Sequence, residues 1–221
     1  MLVGIVQTKE TKFLIIFEAA KRSLLAANIL FNKIAKELNS YENSIDNSID
    51  IGDTAVGALI DSIAFIDFAH RFGTLIDSIP LIKKSSTQLK LLRNSLKKVE
   101  KARNHLQHLR GDLSSDKEIR YPILGFLQWS NGQTNYILAF TQPIEFDVVG
   151  MSYNLTTKNW ESTLEYNIIN QKINLDKVLS EMKLTFDFIV SQVQFSDPEL
   201  LKLSWGKTQT LGIKMIDKTN A

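Results

Sequence analysis

Apolar residues Phe13, Phe17, Ala20, Leu24, Ala27, Phe31, Ile34 and Leu38 recur at alternating steps of four and three. That rhythm lines one side of a helix and predicts a first long helix over residues 9–38. Such a stripe suits an antiparallel bundle or a coiled-coil-like pair. Ahead of it, residues 1–6 are apolar and fit either a short strand or an extension of the same helix. After it, residues 39–53 are polar and carry Asn-Ser-Ile-Asp twice in succession, at 43–46 and 47–50, which reads as a loop. Asp53 or Thr54 is placed to cap a second helix reaching about Ile76. Ala58, Leu59, Ile60, Ile63, Ala64, Phe65, Ile66 and Phe68 make that helix apolar almost all round, as a central, buried helix is. Pro80 marks the next turn. A third helix is expected from Leu81 or Ser85 to Arg110, with a seam of Leu89, Leu92, Leu96 and Val99. Gly111 is placed to end it in the left-handed conformation.

Beyond Gly111 the period shortens. Residues 123–129 and 135–140 are short and aromatic, and they flank Ser130-Asn131-Gly132-Gln133, a strong hairpin signal. Residues 148–155 and 160–168 form a second expected pair around 156–159. Asn174 or Asp176 then caps a last helix from Leu175 to about Phe195, with Val178, Leu179, Met182, Phe186, Ile189, Val190 and Val193 on its apolar face. Pro198 follows, and residues 200–221 show no assignable pattern. The expected fold is mostly α with a β-rich part. Three long helices and a C-terminal helix form an antiparallel bundle, and two hairpins form a small antiparallel sheet. It is one domain over 1–221: a bundle part at 1–112, hairpins at 120–170, and residues 174–195 packing back on the bundle.

Composition narrows the chemistry. The chain has 221 residues, is 44% hydrophobic and carries a formal charge of +2. It can build a core, and its near-balanced charge excludes a whole-molecule polyanion binder while leaving local basic patches open. There is no cysteine, so disulfides and thiolate metal sites are excluded. The apolar run from Phe13 to Phe31 is interrupted by Glu18, Lys21 and Arg22, so it reads as neither a secretion signal nor a membrane span. A cytoplasmic protein without membrane partners is the expectation. Gly206-Lys207-Thr208 lacks the upstream glycine of a phosphate-binding loop. His105 and His108, spaced i and i+3, have no acidic ligand at helical spacing, so no metal and no cofactor is expected.

The stretch Lys101-Ala102-Arg103-Asn104-His105-Leu106-Gln107-His108-Leu109-Arg110-Gly111 concentrates two of the three histidines with an arginine and an asparagine. Continuing the seam of the third helix lands on Arg103, where an aliphatic residue is due. A charge there must find a partner or a wet cleft. By helical count Asn104 and His108 lie about 40° apart, whereas Arg103 lies about 140° from His108. Asp67 and His70 break the apolar run of the second helix and are two candidates for neighbours of Arg103, although a half-exposed His70 without a role is the plainer reading. Lys83, Lys84, Lys90, Arg93, Lys97, Lys98 and Lys101 decorate the third helix, as a solvated face or as a surface that attracts RNA phosphates.

Arg103-Asn104 followed after three residues by His108 resembles the Arg-polar-x3-His motif of the HEPN superfamily, and the wording Ala-Arg-Asn-His-Leu-Gln-His-Leu looks like its bacterial members. The resemblance covers residues 9–112 in architecture and about six residues in motif. It implies a compact, dimeric helical bundle and a metal-independent endoribonuclease in a toxin–antitoxin or defence setting. Arg103, Asn104 and His108 are then the catalytic residues, in a composite site between two copies, with RNA as substrate and an antitoxin or other protein as a further partner. The chemistry stands without the family. RNA brings its own nucleophile, the 2′-hydroxyl, so cleavage needs a base, an acid and a cation for the phosphorane. Histidine serves the first two roles and arginine the third. The other account of the same residues is structural: Arg103 paired with Asp61, Asp67 or Glu100, and both histidines on the surface. In that case the chain is a non-catalytic dimeric interaction module, with a partner-binding aromatic patch at Phe126, Trp129, Tyr136 and Phe140.

Overall fold

The computed structural model describes residues 9–45, 52–80, 84–114, 122–131, 134–140, 153–154, 156, 159–160 and 164–192. Three long helices come first: α1 (Lys9–Ile45), α2 (Gly52–Ser78) and α3 (Thr87–Ser114). On α1 the buried residues Phe13, Phe17, Ala20, Ala27, Ile34 and Leu38 are the stripe the spacing predicts. Contacts between α1 and α2 run in opposite senses. The rings of Phe31 and Phe65 lie 6.4 Å apart, Lys33 Nζ meets Asp61 Oδ2 at 2.7 Å, and Glu37 lies against Gly57. Partner numbers fall as α1 numbers rise, so the pair is antiparallel. The same holds between α2 and α3, where Asp77 meets Arg93 and Asp67 meets Arg103.

The α2–α3 connection is held by side chains. Lys84 Nζ donates to the carbonyls of Ile76, Asp77 and Ile79 at 3.3, 2.6 and 2.8 Å, covering acceptors that a helix end leaves open. Arg93 donates to the Lys84 carbonyl and to Asp77, and Ser86 Oγ accepts from the Leu89 amide as the cap of α3. Helix α4 (Leu175–Gln192) packs back on the other three. Phe186 stacks on Phe17 at 4.8 Å, and Gln88 of α3 donates to Glu181 and Thr185.

Between α3 and α4 lie β1 (Phe126–Ser130), β2 (Asn135–Ala139), β3 (Tyr153–Asn154), β4 (Asn159–Trp160), β5 (Leu164–Ile168) and β6 (Gln171–Asn174). The main sheet is antiparallel in the order β2-β1-β5-β6, and β3 and β4 form a separate two-stranded ladder. Register puts Leu127 opposite Leu138 and Tyr166, and Trp129 opposite Tyr136 and Leu164. This apolar face belongs to the same core as the helices. Trp129 stacks on Tyr136 at 5.1 Å and meets Tyr41 of α1 edge-on at 5.7 Å. The other face places Gln128 opposite Glu165 and Phe126 opposite Asn167, all of them buried. Lys172 Nζ approaches Glu165 Oε2 at 3.0 Å across β5 and β6.

Mostly helical architecture with a small antiparallel sheet is what the patterning predicts, but four boundaries move. Helix α1 runs on to Ile45, because Tyr41 supplies an apolar contact with Trp129 that polar composition around it conceals. Helix α2 starts at Gly52, ahead of the two residues expected to cap it. Gly111 does not end α3 and has no positive φ. The helix continues to Ser114, whose Oγ donates to the Gly111 carbonyl at 3.0 Å. The second hairpin of the main sheet is β5–β6, not a pairing of 148–155 with 160–168. Of the latter only the short β3–β4 ladder is formed among the described residues. Asn174 is the residue that caps α4, accepting from the Lys177 amide at 2.7 Å, while Asp176 accepts from the Leu164 amide. The expectations for residues 1–6, 46–50, 148–152, 193–195, Pro198, 200–221 and the Gly206-Lys207-Thr208 triplet lie outside the described residues.

Candidate functional site

The seam of α3 is filled by Leu89, Leu92 and Val99 up to the level of Ala102, all buried. One step further Arg103 projects toward α2. Its side chain is 26% exposed, and its Nε lies 3.3 Å from Asp67 Oδ1, itself on a side chain 30% exposed. The other carboxylate oxygen of Asp67 accepts from Arg71 Nε at 2.7 Å, one helical turn on, and the Arg71 guanidinium sits over the Phe68 ring at 5.7 Å. Asp67 thus bridges two arginines. Among the described residues the two terminal nitrogens of Arg103 make no hydrogen bond. A guanidinium oriented through Nε with its outer edge open is suited to a bidentate grip on a phosphate.

His70 belongs to this cluster. Burial pushes its pKa below the ordinary histidine value, the Arg103 guanidinium lowers it further and Arg71 acts in the same sense, while Glu100 and Asp67 oppose. A half-buried imidazole held neutral is able to accept a proton. The plain reading of His70 as half-exposed describes its burial and misses its electrostatic neighbour. The signal was present in the sequence: Asp67, His70 and Arg71 share one edge of a helix that must run antiparallel to α3.

Of the three carboxylates considered as partners for Arg103, Asp67 is the one it meets. Asp61 instead pairs with Lys33 of α1. Asn104 and His108 are both exposed on the outer side of α3, and His105 is half-buried. Within one chain Arg103 therefore turns inward to α2 while Asn104 and His108 face outward, as their angular separation on the helix requires. The structure brings together Arg103, Asp67, Arg71 and His70. It does not bring Arg103 to His108.

The aromatic patch expected on the β-rich part is absent. Phe126 and Trp129 are buried, Tyr136 packs against the core, and Phe140 alone of the four is exposed. Among the described residues no three histidine or acidic side chains gather as metal ligands, and no helix is long and apolar enough to cross a membrane. No family model, no curated protein and no solved structure matches this chain.

Proposed function

We propose that the chain is a metal-independent endoribonuclease of the HEPN-like kind, working as a homodimer, with Arg103 as its phosphate-binding residue. One observation carries this reading. Arg103 occupies an aliphatic position of the α3 seam, and Asp67 holds it so that its outer edge stays open. Asn104, the next residue, and His108, just over a turn further on, lie exposed at the same helix end, so a second copy docked there supplies His108 to the Arg103 of its partner. The 2′-hydroxyl attacks the phosphorus, the His108 in the cleft takes its proton, and water protonates the leaving 5′-oxygen. Arg103 stabilises the charge on the phosphorane oxygens, and Asn104 orients the phosphate.

A non-catalytic module remains the second reading, and one observation favours it: Arg103 already has a carboxylate partner. The test is incubation of purified protein with RNA in a chelating buffer, beside the His108→Ala, Arg103→Ala and His70→Gln variants. The nuclease reading expects cleavage products ending in a cyclic phosphate, with His108→Ala slower by at least about a hundredfold, as the loss of a proton-transfer residue gives. No cleavage by wild type, or undiminished cleavage by His108→Ala, removes it.

A further inference from the structure

The outward face of α3 carries a row of residues that runs into the proposed cleavage site at Asn104 and His108, and whose lysines the cleavage chemistry does not use. Lys90, Asn94, Lys97, Lys101, Asn104 and His108 follow one another at steps of four, three, four, three and four, and every one is exposed. At about 100° per residue they fall within roughly 80° of arc, so they form a straight ridge about 27 Å long at 1.5 Å per residue. Lys98 stands just beside it, also exposed. Among the described residues none of these four lysines is paired with a carboxylate, unlike Lys33, Arg71, Arg93, Arg103 and Lys172, which all are. From Thr87 to Arg110 the helix has seven lysines and arginines against the single acid Glu100, on a chain whose overall charge is only +2. Three of those seven, Lys90, Lys97 and Lys101, lie on the row itself, with Lys98 beside it.

We infer that this ridge is a track for the backbone of single-stranded RNA, which it leads to the His108 end of α3. The inference rests on the nuclease reading for its choice of ligand, and the lysines of the ridge supply positioning, not chemistry. Unpaired, fully hydrated lysines on a rigid rod keep their counterions until a polyanion displaces them, which is the main source of affinity in non-specific nucleic-acid binding. The row ends in an amide and an imidazole, groups that hydrogen-bond phosphate and ribose. A membrane surface fits poorly. A helix that lies in a lipid interface buries its apolar face there, and the apolar face of α3 is already packed against the rest of the bundle. Lysines spaced along a line and lacking interleaved aromatic residues track a backbone without reading bases, so the binding is expected to be sequence-tolerant.

The test measures binding of a fluorescent single-stranded RNA by anisotropy across a salt series, in a His108→Ala background so that the probe stays intact. The ridge variant is Lys90→Gln with Lys97→Gln and Lys101→Gln. The control is Lys36→Gln with Lys177→Gln and Lys183→Gln, which removes the same charge from exposed positions on α1 and α4. Each lost phosphate contact lowers the slope of log affinity against log salt by about 0.7, so the ridge variant should lose roughly two units of slope and bind at least about tenfold more weakly at low salt. The control should keep both within about twofold and a few tenths of a unit. An unchanged slope in the ridge variant, an equal loss in the control, or equal ridge-dependent binding to polyglutamate or to phosphatidylserine vesicles overturns the inference. Cleavage is not read, so the two claims separate. A chain that binds along the ridge and never cuts loses only the nuclease reading, and one that cuts with an unaltered slope loses only the track.

Discussion

His70 shows how one residue reports on its surroundings. Its pKa is lowered by burial and then by Arg103, so the folded chain binds fewer protons at this site than the unfolded chain does. The contribution to stability is therefore fully present above the ordinary histidine value of about 6.5 and is lost as pH falls through the depressed folded value. Thermal unfolding followed from about pH 8 down to about pH 5.5 should show a fall in melting temperature that His70→Gln flattens. A variant whose curve runs parallel to wild type across that window would mean that His70 feels neither burial nor Arg103. The same residue shows what single-sequence reading leaves out. The motif Arg103-Asn104-His108 is legible because its members are close in sequence. The cluster Arg103–Asp67–His70 is legible only as one of several alternatives, with Asp61 and Glu100 also in reach of Arg103, because the choice depends on the alignment of α3 along α2, which side-chain packing such as Leu96 on Gly73 decides.

Elements were legible in proportion to the length and regularity of their pattern. The stripe of α1, the seam of α3 and the broad face of α4 are long enough for period to identify them. The β1–β2 hairpin announces itself through Asn131, whose Oδ1 accepts from the Thr134 amide across the turn. The β5–β6 hairpin does not. Its two turn residues are Ile169 and Asn170, both at positive φ, 41° and 57°. Asparagine accepts that conformation readily, but a β-branched residue does so at a cost, and Ile169 is a poor turn signal for the same reason that it is strained. Its side chain is 43% exposed, so it recovers only part of that cost by burial. Ile169→Gly should therefore stabilise the chain by about 0.5–1 kcal/mol, which for a chain of this size raises the melting temperature by roughly 1–4 °C. A lowered melting temperature would show that the packing of Ile169 outweighs its backbone strain. Gly125 is the opposite case. Its φ of 77° and the closeness of the Asn167 carbonyl leave no room for a Cβ, and the residue is what the turn requires.

At the scale of the whole molecule the geometry of α3 divides the proposed functional groups between two directions, and the proposed dimer would reunite them across a two-fold axis. Arg103 turns toward Asp67 and the bundle, while Asn104, His108 and the lysine ridge face outward. If the working site combines Arg103 of one copy with His108 of the other, two inactive variants repair each other. In a heterodimer of Arg103→Ala with His108→Ala, one cleft lacks both groups and the other has both. Random exchange of equal amounts makes half of all dimers mixed, and each mixed dimer holds one intact cleft of two, so activity should return to about one quarter of wild type. If instead Arg103 and His108 act within one chain, no chain in the mixture is intact and the activity stays at the level of the separate variants. Mixing the purified variants under conditions that exchange subunits, with RNA cleavage as the readout, distinguishes the two. Recovery would also explain why an arginine and a histidine about 140° apart on a single helix belong to one reaction, since the fold of one copy never has to bring them together.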